Sequence, residues 1–309
     1  MTTRKIGLKG KNVKTLSECI AEYISYSKVY KLSPKTIKIR QYVLDIFLDV
    51  VGDVDCKNLT QVKIDDYMAY LDNKYENVTT VRVQLSAIKT FINFCINREY
   101  VKGVVVPMPK KVETIKETYS ESDLKQLLKK PTHNSFNQWK SWCISNFLLG
   151  TGCRVRTAIN IKIGDLDFDN QLIIFRETKN KKQQIIPMST TLKWVLMEYL
   201  SKWDNTKDDY LFPNWVGEQM TDDAFKRNVQ RYNNSRGVSI TSSHCYRHTF
   251  AKNWILNGGD IFRLQKILGH SNMDMVRNYV NMYSTDLSNG FDGFNPLDNI
   301  KANKIKMNK

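Results

Sequence analysis

The sequence predicts a mainly α-helical protein with one small antiparallel β-sheet, an α+β fold divided between a helical N-terminal domain and a mixed C-terminal one. Three observations predict it. Over residues 15–98 apolar side chains recur three and four apart, as in Leu16, Ile20 and Ile24, then Leu44, Phe47, Leu48 and Val51. Between residues 166 and 188, three short β-prone stretches are separated by turn residues. Residues 99–118 carry Pro107, Pro109 and the pair Lys110-Lys111 with little periodicity, which reads as an exposed linker with the domain boundary near Lys111.

Taken in order, the first domain reads as four helices. Ser33 before Pro34 predicts an N-cap with proline in the first turn, Gly52 a C-terminal stop, and Thr60 and Thr79 two more N-caps. Past the linker, Ser120 to Asp123 spells a capping box, and a helix through Trp139, Trp142, Ile144, Phe147 and Leu148 stops at Gly150-Thr151-Gly152. A short helix begins at Arg154. The β segments fall at 166–168, 171–177 and 183–188, joined by an Asp169-Asn170 turn and a Lys-rich turn at 178–182. Helices are then expected at 190–203, from 221 to about 232, at 244–256 before Asn257-Gly258-Gly259, at 260–268 and at 271–283. No internal repeat is present.

Composition narrows the function. Hydrophobic residues make up 41% and charged residues 25%, which argues against both a disordered chain and a membrane protein. No apolar run reaches the ~18 residues of a bilayer span, and residues 1–10 lack the apolar centre of a signal peptide, so a cytoplasmic protein without membrane association is expected. Six cysteines lie scattered without CxxC pairs or zinc-site spacing and read as reduced, mostly buried thiols. The formal charge of +16 favours a polyanionic partner, nucleic acid first. Residues 1–112 hold 19 Lys plus Arg against 11 Asp plus Glu, net +8, so both halves are basic. Dispersed charge in a Lys-rich protein is the bland alternative.

Residues able to do chemistry cluster late in the chain. His244 and Arg247 are three apart at the start of a helix capped by Ser242 or Ser243, an arrangement that suits a phosphate. His270 follows Leu268-Gly269 in a tight turn, just before the predicted helix that carries Tyr279. Each alone has a structural reading: a capping histidine with a surface arginine, a turn histidine, and a tyrosine sharing a core face with Val276, Val280 and Tyr283.

The ordered set changes the balance: Gly152-Cys153-Arg154, Lys179 in the hairpin, His244-Cys245-Tyr246-Arg247-His248, Leu268-Gly269-His270, and Tyr279 nine residues later. This set resembles the tyrosine recombinase, or phage-integrase, family over about residues 119–283, and the helical first half resembles that family's core-binding domain less specifically. The resemblance implies a basic extension at 1–14, a helical, SAM-like core-binding domain that binds DNA at 15–111, a catalytic domain at 112–289 and a tail at 290–309. It also implies the roles. Tyr279 would be the nucleophile that holds a 3′-phosphate, with Arg154 and Arg247 on the non-bridging oxygens and His270 as a third donor. His244 would help move the nucleophile's proton and Lys179 would protonate the leaving 5′-oxygen. Neither metal nor ATP nor any other cofactor is called for.

Some positions depart from the family or stay open. Thr157 stands where the family has Glu or Asp. Lys179 lies eight residues before Pro187, the family's spacing, but Lys181 and Lys182 share its turn. Arg156 and Arg176 read as phosphate contacts or solvated charges. Phe291, Phe294, Leu297 and Ile300 form a stripe at intervals of three that docks either on its own domain or on a neighbouring protomer.

The implied partners are double-stranded DNA with specific recombination sites and further copies of the chain, as a homo-tetramer on synapsed DNA; an accessory DNA-bending factor is compatible with the reading. Within the family, the Lys- and Asn-rich composition and the variant first box point to the integrase or transposase of a mobile element; resolution of chromosome dimers and DNA inversion are the alternatives. A DNA-binding accessory protein without catalysis and a type IB topoisomerase are the readings from other classes.

Overall fold

In the computed structural model the described residues are 14–111, 116–132, 135–176, 183–269, 273, 276, 277, 279 and 280. Lys179, Lys181, Lys182, His270, Tyr283 and the stripe at 291–300 lie outside them, as do residues 1–13. The chain forms two compact units, Met1–Thr114 and Ile115–Lys309. Mainly helical structure with one three-stranded antiparallel sheet is the architecture expected from the sequence.

The first unit holds α1 (Leu16–Val29), α2 (Pro34–Val51), α3 (Gln61–Lys74) and α4 (Val78–Asn97), with a 3₁₀ turn at Cys56–Asn58. Its ends follow local chemistry. Thr15 and Glu18 form a reciprocal capping box on α1, Ser33 accepts from the Thr36 amide before Pro34, and Gly52 ends α2 at φ 81. Thr60 occupies the α3 cap without a side-chain hydrogen bond. Thr79 is not the cap of α4: Asn77 is, its side chain accepting from the Thr79 amide. The four helices close over Leu16, Leu44, Phe47, Ile64, Tyr67, Leu85, Ile88 and Phe91.

The linker is less exposed than its prolines suggest. Val101, Val104 and Val106 are buried in the core of the first unit, and the Gln61 amide both accepts from Val105 N–H and donates to Val105 carbonyl. A side-chain amide can stand in for a neighbouring strand at one residue, a pairing that periodicity does not reveal.

The second unit is built on α6 (Phe136–Thr151), preceded by α5 (Glu121–Leu128) with its Ser120–Asp123 capping box. Buried residues occur all round α6, Trp139, Trp142, Cys143, Ile144, Phe147 and Leu148 among them, so it is a core helix rather than an amphipathic one. It ends at Gly152 in the left-handed conformation, and α7 (Val155–Asn160) follows at once. The sheet has order β1 (Leu166–Asp167), β2 (Leu172–Phe175), β3 (Gln184–Pro187), with Leu166 opposite Ile173 and Ile173 opposite Ile186. Then come α8 (Thr190–Leu200), α9 (Asp222–Ser235), α10 (Ser243–Leu256) and α11 (Ile261–Leu268), capped by Ser189, Thr221, Ser242 and Asp260. No described helix is long and apolar enough to cross a membrane.

A buried polar network sets where α10 begins. Tyr246 hydroxyl lies 2.9 Å from Ser145 Oγ and 3.1 Å from Asn233 Oδ1; Asn233 Nδ2 donates to Tyr119 hydroxyl, which donates to Ser242 carbonyl. Satisfied inside the core, these bonds fix the rotation of α10 relative to α6 and α9 and so decide which of its side chains face the site.

Candidate active site

Two glycine turns and one helix start bring the candidate residues together. Arg154 caps α7 immediately after the Gly152 turn; Arg247 and His248 project from the first turns of α10; the turn at Gly269, φ 60, ends α11. Glycine is required at 152 on two counts: its φ is 59, and an added Cβ would lie 2.6 Å from Phe250 Cδ1 and 2.8 Å from Leu268 Cδ2.

Both guanidiniums converge on one stretch of backbone. Arg247 donates to the carbonyls of Gly152 and Leu268, each at 2.8 Å, and Arg154 donates to those of Leu268 and Gly269 at 3.3 Å. Gln184 at the start of β3 donates to the Lys266 and Ile267 carbonyls, tying the hairpin strand to the same turn. Arg247 is only 5% exposed. Burial first, then the charge of Arg154, pulls its guanidinium down to about 10, still protonated at neutral pH. Arg154 is lowered as well, chiefly by burial. Two neighbouring cations, each donating to neutral backbone carbonyls, suit an oxyanion.

Tyr279 is buried in a small cluster with Leu264, Leu268 and Val276, and its charge, if ionised, would be felt by both arginines. Its hydroxyl lies 2.6 Å from Nδ1 of His248. The core reading of Tyr279 and the chemical one are therefore not exclusive: the ring packs, while the hydroxyl faces polar groups.

His244 is exposed at the first turn of α10, and its ring makes no hydrogen bond to a described residue. Its pKa is lowered by desolvation first, then by Arg247, Lys226 and Arg154. His248, one turn later, is pushed down to about 4 by burial first, then by Lys116, His244 and Arg247. Sequence reasoning named His248 only as part of the motif and gave it no role; α11 intervenes between it and Tyr279, so no local pattern could have exposed the contact. Arg247 is not a surface arginine, and Arg176 is exposed and pairs with the buried carboxylate of Asp165. Arg156 is exposed and Thr157 is buried behind Arg154. Among the described residues no cluster of three or more metal-ligating side chains occurs.

Comparison with known proteins gives one consistent result. The model of the phage integrase family matches residues 117–285, more than half of the chain. Tyrosine recombinase XerC of Bacillus pumilus is 26% identical over 303 residues, covering 92% of this chain and 97% of the relative. Tyrosine recombinase XerA of Pyrococcus furiosus is 26% identical over 293 residues, covering 93% and 98%. Among solved structures, the Tn1549 transposon integrase in complex with transposon right end DNA superposes with a TM-score of 0.73 at 20% identity, covering 94% of this chain and 100% of that one. A lambda integrase dimer bound to a COC′ core site gives 0.71 at 13% identity, covering 88% and 98%. At such identities the structural likeness is one of fold.

Proposed function

Because the chain belongs to the phage integrase family of tyrosine recombinases, we propose that it cuts and rejoins duplex DNA at specific sites through an ester between Tyr279 and a 3′-phosphate, as the integrase or transposase of a mobile element. The observation that carries the reading is the convergence of Arg154, Arg247 and the Tyr279 hydroxyl around the Leu268–Gly269 turn.

The chemistry follows from what these groups can do. A phosphodiester repels anions and a phenol of pKa ~10 is a poor nucleophile, so charge neutralisation and proton transfer must accompany attack. Arg154 and Arg247 bind the non-bridging oxygens, doing the electrostatic work that a metal ion does elsewhere, with His270 as a further donor. His244 assists the nucleophile's proton and Lys179 protonates the departing 5′-oxygen. The tyrosyl ester conserves the energy of the broken bond, so a second DNA 5′-hydroxyl displaces Tyr279 without ATP. In this reading residues 15–111 are the core-binding domain, 112–289 the catalytic domain, and the working assembly is a tetramer on two synapsed sites, in the cytoplasm.

The test is a nicked suicide substrate carrying DNA from the flanks of the gene. A protease-sensitive adduct lost in Tyr279→Phe and kept in Tyr283→Phe is expected. Specific binding without an adduct would leave an accessory DNA-binding protein, and relaxation of any supercoiled plasmid would leave a type IB topoisomerase. Excision of the flanked segment, as against resolution of plasmid multimers or inversion, identifies the biological role.

A further inference from the structure

We propose that His248 is a catalytic residue of this site: its Nδ1 holds the Tyr279 hydroxyl as a hydrogen-bond acceptor and takes the phenolic proton as the oxygen attacks phosphorus. The inference rests on the reading of Tyr279 as nucleophile and moves the proton transfer given above to His244 onto His248, the ring that meets the hydroxyl.

Geometry carries it. The Nδ1 to hydroxyl distance of 2.6 Å is at the short end of hydrogen bonding and within the range for direct proton transfer. The two rings lie tilted at 49° with centroids 5.6 Å apart, so the imidazole meets the hydroxyl rather than stacking on the ring. His248 sits half-buried one turn after His244 on α10, whose rotation the Tyr246–Asn233–Ser145 network fixes. The groups whose charge acts on it, Lys116 from the segment before α5 and His244 and Arg247 from α10, all disfavour an imidazolium in the resting site, as does burial. A neutral ring has a lone pair on one nitrogen; facing a phenol at Nδ1, the ring with its proton on Nε2 accepts there.

The step balances. The Tyr279 O–H bond breaks and its proton passes to Nδ1; the phenolic oxygen bonds to phosphorus; the bond from phosphorus to the 5′-oxygen breaks, and that oxygen takes a proton from Lys179. Rejoining runs each transfer backwards, His248 returning the proton to the departing phenolate. The imidazolium formed midway is less costly once the attacked phosphate brings negative charge beside it.

Three measurements decide it. First, long-range proton–nitrogen spectra of the full-length protein resolve only four histidine rings. The His248 ring should carry its proton on Nε2 at neutral pH, with a Nδ1 shift that changes in Tyr279→Phe; a proton on Nδ1 overturns the proposal. Second, single-turnover cleavage of the suicide substrate should slow about 100-fold or more in His248→Ala, with DNA affinity kept within about threefold. His248→Asn, which places an acceptor near Nδ1 without a basic nitrogen, should stay equally slow, and recovery to near the wild-type rate overturns the proposal. Third, a substrate with sulfur at the 5′ bridging position needs no protonation of its leaving group. It should leave the His248→Ala defect in place, and rescue by sulfur would reassign His248 to the leaving-group side. Loss of the premise looks different: an adduct that survives in Tyr279→Phe removes the nucleophile assignment, whatever the histidine spectra show.

Discussion

Replacing Gly152 by alanine separates backbone strain from steric conflict at the heart of the candidate site. Gly152 has φ 59, and a residue with a Cβ in that left-handed conformation costs about 1–2 kcal/mol. The new Cβ would also meet Phe250 Cδ1 at 2.6 Å and Leu268 Cδ2 at 2.8 Å. Leu268 is 2% exposed and has little room to yield, and overpacking of this kind adds about 1–3 kcal/mol. The expected total is about 2–5 kcal/mol. Gly237 is the control: its φ is 73 and nothing lies within 4 Å of its Cβ position, so Gly237→Ala carries only the backbone part, about 1–2 kcal/mol. All six tryptophans fall between residues 139 and 254, so their fluorescence in urea reports the C-terminal unit alone. The Gly152→Ala midpoint should fall further than that of Gly237→Ala with the slope unchanged. Gly152→Ala should also lose cleavage, because moving Leu268 moves the carbonyl that both arginines hold, whereas Gly237→Ala should cleave as wild type. Equal destabilisation of the two variants within about 0.5 kcal/mol would refute the close-packing argument.

Other substitutions probe the remaining contacts. Arg247→Lys cannot span the Gly152 and Leu268 carbonyls with a single ammonium; cleavage should drop by about 100-fold or more, and retained single-turnover activity would contradict the fork. Arg176→Ala should weaken the C-terminal unit through Asp165 yet leave the salt dependence of DNA binding intact; a slope smaller by about 0.9 would instead count Arg176 among the phosphate contacts. Tyr246→Phe removes a hydroxyl shared by Ser145 and Asn233 in the core and should cost about 1–3 kcal/mol in the same fluorescence assay. His248 titrates near 4 in the fold against 6.5 when unconstrained, so between those values the unfolded chain binds more protons than the folded one. Stability of the C-terminal unit should therefore rise with pH across that window and level off above it, and His248→Gln should flatten the rise, His244 contributing in the same direction.

Much of this was legible in the chain because it is written locally. Helix starts at Ser33, Ser120 and Thr221 and stops at Gly52 and Gly152 depend on side chains within a few residues, and they stand where the spacing puts them. Asn77 stands as the cap in place of Thr79, since either residue type serves and the two lie two residues apart. The long connection after α8 was opaque for a different reason: its pairings, Lys162 with Tyr210 and Pro213 with Gln219, are single bridges without periodicity. At the site, the motif located Arg154, Arg247 and Tyr279 as residues but not their contacts. Arg176 found Asp165 eleven residues earlier, and His248 found Tyr279 across an intervening helix, because tertiary packing supplied those partners.

The kind of group that holds the arginines matters as much as its position. A carboxylate beside Arg154 or Arg247 would hold the guanidinium firmly and also cancel its charge. Carbonyls of Gly152, Leu268 and Gly269 hold both without themselves cancelling the charge, and the amide of the buried Thr157 donates to the Arg154 carbonyl. Two partly desolvated cations side by side are costly to fold, and the lowering of both their pKa values expresses that cost. In the proposed function an arriving phosphate would offset that cost, so the geometry that disfavours the two charges in the resting fold would favour phosphate binding. Gln184 extends the coupling to the hairpin, since its amide grips the carbonyls of Lys266 and Ile267 one step before the turn. In the proposed function a phosphate held by the arginines would therefore act on the same backbone that Gln184 ties to the hairpin strand.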